Sequence, residues 1–306
     1  MAEPAAKPTQ PMDDTPQTFD LDAARAKIDK ELNRFTEFDS DCPEQLREAI
    51  RYSLLSPGKR LRPLLVLMAC QACGEPADTA LAAACAVEMI HTYSLIHDDL
   101  PSMDDDQLRR GQPTCHIKFD ESTAILAGDA LIPLAFQVVC GEYPPSLATP
   151  CSLELAKACG ATRLVGGQVD DLSQENGERG DLQKLENIHR RKTGALLTVS
   201  LRLGAIVAGA AESQLQALGV FGKNLGLAFQ IVDDLLDCRG DWTKMGKMTN
   251  KDDGRGKLTY PNLIGVEESE TRATELVDQA IDALQAFGPS ADPLRELAKY
   301  VLERTR

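Results

Sequence analysis

The chain has 306 residues, 43% of them hydrophobic and 26% charged, a composition that excludes disorder and collagen-like repeats. Lys plus Arg number 33 against 47 Asp plus Glu, a net charge of −14, and that field disfavours nucleic acid and other polyanions. No uninterrupted apolar run reaches the ~18 residues of a membrane span, and the best, Ala124 to Val139, is interrupted by Asp129 and Pro133, so stable membrane insertion is not expected. Nine cysteines, an odd number without metal-ligand spacing, and an N-terminus without a basic-then-apolar leader fit a reducing cytoplasm.

Residues 1–20 hold Pro4, Pro8, Pro11 and Pro16 with few large apolar side chains, the pattern of a flexible tail. Helical spacing begins at Leu21, with Ala24, Ile28 and Leu32 on one face, and resumes in Leu46, Ile50, Leu54 and Leu55. After the breaker Ser56-Pro57-Gly58, the run Gly58-Lys59-Arg60-Leu61-Arg62-Pro63 opens an apolar helix, a place suited to an anion. The segment Leu81 to Ile96 is apolar almost all round, which predicts a helix at the centre of the protein. Further breakers stand at Cys73-Gly74-Glu75-Pro76, Tyr143-Pro144-Pro145 and Gly288-Pro289. Two amphipathic segments close the chain, one through Leu276, Ala280, Ile281, Leu284 and Phe287, the other through Leu294, Leu297, Ala298 and Val301. Sustained alternation at period two is absent. One large all-α domain is predicted, against the two domains that the length alone allows.

Two aspartate clusters interrupt the apolar helices. In His97-Asp98-Asp99-Leu100-Pro101-Ser102-Met103-Asp104-Asp105-Asp106, five carboxylates fall within nine residues. A solvated acidic loop is the bland explanation, but this run begins where a buried helix emerges, and the repulsion there is offset by a hard cation with oxygen ligands. The second cluster, Asp233-Asp234-Leu235-Leu236-Asp237, lies at the end of the apolar run Leu225 to Leu236 and places carboxylates on one helical face. Cations alone would describe a binding protein. Basic groups recur beside the clusters: Arg109-Arg110-Gly111, Lys192-Thr193-Gly194, and a polar segment 239–259 with four glycines and Lys244, Lys247, Lys251 and Lys257. Aspartate–cation cages with Lys and Arg clamps describe a site for phosphate or diphosphate.

At these residues the sequence resembles the trans-prenyltransferases, the isoprenyl diphosphate synthases, in particular the short-chain farnesyl diphosphate synthases of bacterial type. Gly58-Lys59-x-x-Arg62-Pro63 resembles the family's isopentenyl diphosphate motif, and Asp98-Asp99-x-x-x-x-Asp104 with Arg109-Arg110 its first aspartate-rich motif. Gly166-Gly167-Gln168-Val169-Asp170-Asp171-Leu172, Lys192-Thr193-Gly194 and Phe229-Gln230-x-x-Asp233-Asp234-x-x-Asp237 follow in the family's order. Val232 departs mildly, where the family often has a polar residue.

The resemblance implies a polyprenyl synthase catalytic domain over residues 21–306, a bundle of about ten or more antiparallel helices around a central cavity, usually in a homodimer. It implies Mg²⁺ (about three ions with substrate bound, Mn²⁺ as a substitute) held by Asp98, Asp99, Asp104, Asp171, Asp233, Asp234 and Asp237. Arg109, Lys192, Thr193, Gln230, Lys247 and Lys257 would hold the allylic diphosphate. Gly58, Lys59, Arg62, His91 and Arg110 would hold isopentenyl diphosphate. Asp98, Asp104, Arg109, Lys192, Thr193, Gln230 and Asp233 would carry catalysis. Tyr93, five residues before Asp98 and ~7.5 Å back along the helix, would close the cavity floor together with Ser94 and limit the product to 15 carbons.

The implied reaction is head-to-tail condensation of isopentenyl diphosphate with dimethylallyl and geranyl diphosphate. Geranylgeranyl or geranyl diphosphate synthesis, and a non-catalytic regulatory subunit on the same fold, stand as alternatives. A regulatory subunit would typically lack one aspartate cluster, a metal-dependent phosphohydrolase would need more than the four histidines present, and a terpene cyclase would not need the Lys59/Arg62 motif. Arg304 and Arg306 either end a solvated tail or reach toward the isopentenyl diphosphate.

Overall fold

A computed structural model describes residues 19–175, 180–238 and 258–304. Residues 1–18 of the expected tail, Arg306 and most of the basic segment, including Lys247 and Lys257, lie outside the described residues.

Helix α1 (Leu21–Phe35) starts where the Asp20 carboxylate accepts the amides of Asp22 and Ala23, a side-chain cap that satisfies two orphan donors. Phe19 already packs on the core, so the fold begins inside the expected tail. Helix α2 (Glu44–Leu54) stops at the predicted Ser-Pro-Gly break, and α3 (Leu61–Ala72) restarts with Pro63 in its first turn, where no amide is missed. Helix α4 (Leu81–Asp98) is buried over most of its length, as its all-round apolar character predicts.

Strand β1 (Leu108–Arg109) pairs antiparallel with β2 (Gln112–Pro113), a hairpin too short to leave an alternating pattern. The helical order then continues through α5 (Cys115–Lys118), α6 (Glu121–Glu142), α7 (Pro145–Cys159), α8 (Leu164–Glu175) and α9 (Leu182–His189). A π-turn at Arg190–Gly194 joins α9 to α10 (Ala195–Val207), and α11 (Glu212–Cys238) follows. The chain closes with α12 (Tyr260–Ile264), α13 (Val266–Ala283) and α14 (Asp292–Glu303).

Alanines 82, 83, 84 and 86 let neighbours approach α4 closely, and it packs on α6, α3 and α10. Helix α10 lies among α3, α7 and α11, while α11 is covered on another side by α13. The result is one continuous apolar core. Helix α6 runs straight through Asp129 and Pro133. Residues Ala77–Asp98, Glu121–Glu142 and Glu212–Cys238 are three helices long and apolar enough to cross a membrane by length and composition alone, which the uninterrupted-run criterion did not register.

All nine cysteines are free. Cys70 and Cys73 have C-x-x-C spacing at the end of α3, a pattern the sequence reading passed over. Burial pushes their thiols up to about 12 and about 11, so neither is a thiolate at neutral pH.

Candidate active site

The end of α4 delivers adjacent aspartates to different partners. Burial pushes the Asp98 carboxyl up to about 6 against the pull of Lys192, and the like charge of Asp104 adds to the rise. Asp104 is brought back over the helix end because its amide donates to the Asp98 carbonyl at 2.8 Å. Asp99 is buried and accepts from Arg109 Nε at 2.8 Å on each oxygen. Its oxygens therefore hold Arg109 in place.

Lys192 joins this end of α4 to α8. Its Nζ donates to Asp171 Oδ2 at 2.7 Å and lies 3.9 Å from Asp98 Oδ2. Burial opposes its charge, but Asp171, Asp98 and Asp104 more than offset that, and its pKa is raised. The π-turn, a one-residue widening common at functional sites, presents Lys192 and Thr193 side by side. Two glycines admit it: a Cβ on Gly167 of α8 would overlap the Lys192 backbone, and one on Gly226 of α11 would lie 3.0 Å from Gly194 Cα.

Thr193 carries the connection to the second cluster. Its hydroxyl donates to Gln230 Oε1 at 3.1 Å, and Gln230 Nε2 donates to Asp233 Oδ2 at 3.4 Å. Asp233 Oδ1 is 3.0 Å from Arg304 Nη2, whose guanidinium lies 4.8 Å from the Phe229 ring centroid. Arg304 thus folds onto the site and is not solvated. Asp234 turns elsewhere, accepting the Tyr260 amide at 2.9 Å with His189 Nε2 at 3.5 Å. It anchors the start of α12. Asp237 is half-buried one turn beyond Asp233. Among the described residues, no three carboxylates, imidazoles or thiols converge to hold a metal ion on their own.

A separate cationic cluster forms around the start of α3. Arg62 Nη1 lies 3.1 Å from His91 Nε2. A guanidinium can only donate, so that nitrogen carries the lone pair and the imidazole is neutral. The environment agrees: burial, then Arg62 and Arg110, hold the His91 pKa well below its usual value. Burial likewise brings Arg62 down to about 10. Arg110 and Gly111 form the hairpin turn with φ of 52° and 77°, the paired left-handed residues that a two-residue hairpin loop uses. From there Arg110 Nη1 reaches Ser56 Oγ and the Pro57 carbonyl, both at 3.3 Å. It lies over Gly58, where a Cβ would come within 2.6 Å of Nη1. Lys59 is exposed beside it. The two adjacent arginines face different charge environments, Arg109 the aspartates and Arg110 the cationic cluster.

Tyr93 is buried, edge-on to the His97 ring at 5.9 Å between centroids and close enough to Asp98 to feel its charge. Ser94 is half-buried and its hydroxyl donates to the His91 carbonyl at 2.8 Å.

The sequence reading gave no role to Arg60 or Glu88. Arg60 has φ of 49° and its guanidinium is 2.8 Å from Glu88 Oε1, with both side chains buried. A lone glutamate in the otherwise apolar run from Leu81 to Ile96 was the available signal. Among the described residues, the non-glycine residues with positive φ are Arg60, Asp105 and Arg110, all three bordering this site.

The family description "Polyprenyl synthetase" matches residues 43–290. The chain is 48% identical to geranylgeranyl pyrophosphate synthase 11, chloroplastic, of Arabidopsis thaliana, over 85% of this chain and 74% of that protein. It is 43% identical to a dimethylallyltranstransferase of Fischerella ambigua (strain UTEX 1903), over 92% and 82% of the two chains. Among solved structures, an FPP/GFPP synthase from Zymomonas mobilis superposes with a TM-score of 0.83 at 38% identity, covering 92% of this chain and 97% of that one.

Proposed function

The chain belongs to the polyprenyl synthetase family, and on that premise we propose that it joins isopentenyl diphosphate head-to-tail to an allylic diphosphate, ending at the 15-carbon farnesyl diphosphate. One observation carries the reading: an aspartate-walled site holding Lys192 stands beside a separate cluster of Arg62, Arg110 and neutral His91. Two anionic substrates need two such sites, and a hydrolase or cyclase needs one.

The donor set fits a divalent metal. Asp98, Asp104, Asp171 and Asp233 offer hard oxygen donors, and burial, with the like charge of Asp104, holds the Asp98 pKa up in spite of Lys192. Bound there, Mg²⁺ would act as a Lewis acid on the leaving diphosphate. Lys192 and Arg109 stabilise negative charge developing on the same group. The allylic C–O bond breaks with its electron pair going to the diphosphate. Thr193 donates its proton to Gln230, so its oxygen lone pairs are available to the allylic cation. Arg62, Arg110 and Lys59 hold isopentenyl diphosphate so that its double bond attacks the allylic carbon. A new C–C bond forms and a proton passes to the departed diphosphate.

The 15-carbon length rests on Tyr93, a bulky, buried side chain near Asp98. The plant relative's name favours a second reading, a 20-carbon product. Incubation with isopentenyl diphosphate, dimethylallyl diphosphate and Mg²⁺, followed by product chromatography, tests both. Absence of any product longer than five carbons would overturn prenyl transfer, and a dominant 20-carbon peak would overturn the shorter length. Tyr93→Ala should shift products to 20 carbons or longer; an unchanged distribution in a folded, active variant removes Tyr93 as the floor. We propose a homodimer through the α5–α6 face, where Ile117, Ile125 and Leu126 are exposed, to be checked by light scattering. A cytoplasmic location is proposed from the nine free thiols.

A further inference from the structure

Arg60 occupies a costly conformation for a reason that its own surroundings state. As the residue before α3 it is left-handed, with φ of 49°, a conformation that strains any residue with a Cβ. Its side chain is only 2% exposed, so it cannot touch a substrate. Each of its three guanidinium nitrogens nevertheless donates a hydrogen bond. Nε donates to Asp29 Oδ1 of α1 at 2.8 Å, Nη1 to Glu88 Oε1 of α4 at 2.8 Å, and Nη2 to the Ser56 carbonyl at 3.1 Å.

These contacts pin the turn that builds the cationic cluster. Ser56 and Pro57 supply the acceptors for Arg110, Gly58 is the surface it lies on, and Lys59 and Arg62 flank Arg60 in the chain. Glu88 stands one helical turn before His91 and its charge also reaches Arg62 and Arg110. A single buried carboxylate therefore faces three arginines whose mutual repulsion would otherwise spread them apart. Asp29 is half-exposed at the outer edge of the same network.

We propose that Arg60, braced by Glu88 and Asp29, is the positioning residue of the second diphosphate subsite: it sets the Ser56–Lys59 turn and Arg62 in the arrangement that receives isopentenyl diphosphate, without contacting it. The inference rests on the assignment of that subsite under Proposed function.

The test is steady-state kinetics in both substrates for Arg60→Lys, Glu88→Gln and the paired change Arg60→Met with Glu88→Met. The pair replaces a buried ion pair by apolar side chains, a change that is often neutral for stability. Each variant should raise the Michaelis constant for isopentenyl diphosphate by about 10-fold or more, with that for the allylic substrate within about 2-fold. The Met pair should do so with Tm restored relative to Glu88→Gln. Equal rises for both substrates, or unchanged constants in the folded Met pair, would overturn positioning and leave Arg60 a purely structural residue. Calorimetric titration of isopentenyl diphosphate into wild type and the Met pair gives the same comparison without turnover. An inactive wild type would therefore defeat the prenyl-transfer reading while this titration still decides the role of Arg60.

Discussion

The two subsites are built with opposite surplus charge, and they differ in where the balancing charge sits. On the aspartate side the compensating groups are Lys192 and Arg304, with side chains 23% and 14% exposed. On the arginine side it is Glu88, only 3% exposed and sealed under the cluster. A counter-charge within reach of solvent can turn to an incoming ligand, so in the proposed reaction the aspartate wall would exchange its cations as substrate and metal bind. The arginine cluster cannot exchange Glu88; that part of its balance is permanent, and only Asp29, half-exposed at its outer edge, is free to turn away. On the proposed reading, one site would be assembled by its ligand and the other stands largely preset.

The strongest way to break the comparison is to empty the aspartate wall. Asp98→Ala and Asp233→Ala should each lower kcat by ~10²-fold or more, the scale of losing a preorganised electrostatic contact, and a chelator should abolish turnover, both read in a product-release assay. Full activity after metal removal would refute the ligand-assembled site. Next come the adjacent arginines. Arg110→Ala should raise the Michaelis constant for isopentenyl diphosphate, and Arg109→Ala that for the allylic substrate, each by roughly 10- to 150-fold. Because Asp99 fixes Arg109, Asp99→Asn should reproduce the Arg109→Ala phenotype and leave the other substrate's constant alone.

Stability separates the sites with opposite signs. The folded pKa of Asp98, about 6, lies above its ordinary 3.8, so the folded chain binds more protons than the unfolded one between those values. Its stability contribution falls as pH rises through that window, and the penalty is complete above about 6. Asp98→Asn removes the penalty: its Tm advantage over wild type should be larger at pH 8 than at pH 4 by about 2 °C or more, measured by calorimetry. Glu88→Gln should do the reverse and lower Tm, because it leaves the buried Arg60 with the half-exposed Asp29 as its one charged hydrogen-bond partner. The smallest effect is expected from Arg304→Ala, a rise of about 3-fold in the Michaelis constant for isopentenyl diphosphate without a change in Tm, since chain ends contribute little to stability. No change in that constant would confine Arg304 to its contact with Asp233.

Much of this was legible one residue at a time. The apolar run before Asp98, the breakers, and the recurrence of carboxylate and basic clusters depend on local composition, and the chain order preserves them. Pairings across the fold leave no such trace. That Asp99 serves Arg109 and Asp234 serves Tyr260, while Asp98 and Asp233 border the Lys192–Thr193 turn, depends on which way each side chain leaves its helix. Glu88 was visible as the lone carboxylate between Leu81 and Ile96, but its partner lies 28 residues away. The hairpin at Arg110-Gly111 and the C-x-x-C at Cys70 and Cys73 were short enough to be passed over, the first for want of any alternating pattern.

The π-turn at Arg190–Gly194 makes residue count itself a requirement of the site. Removing one residue there would let the segment close into a continuous α-helix at little loss of hydrogen bonding, with α9 and α10 still in phase, because the π-turn is what absorbs the extra residue. The residue lost would come from the stretch that presents Lys192 to Asp171 and Thr193 to Gln230, in a protein that still folds. A deletion elsewhere in α9 or α10 would instead rotate one flank by ~100° and strip it from the core. The fold is therefore expected to tolerate a change of length best where the helix is locally widest, and the site to tolerate it least.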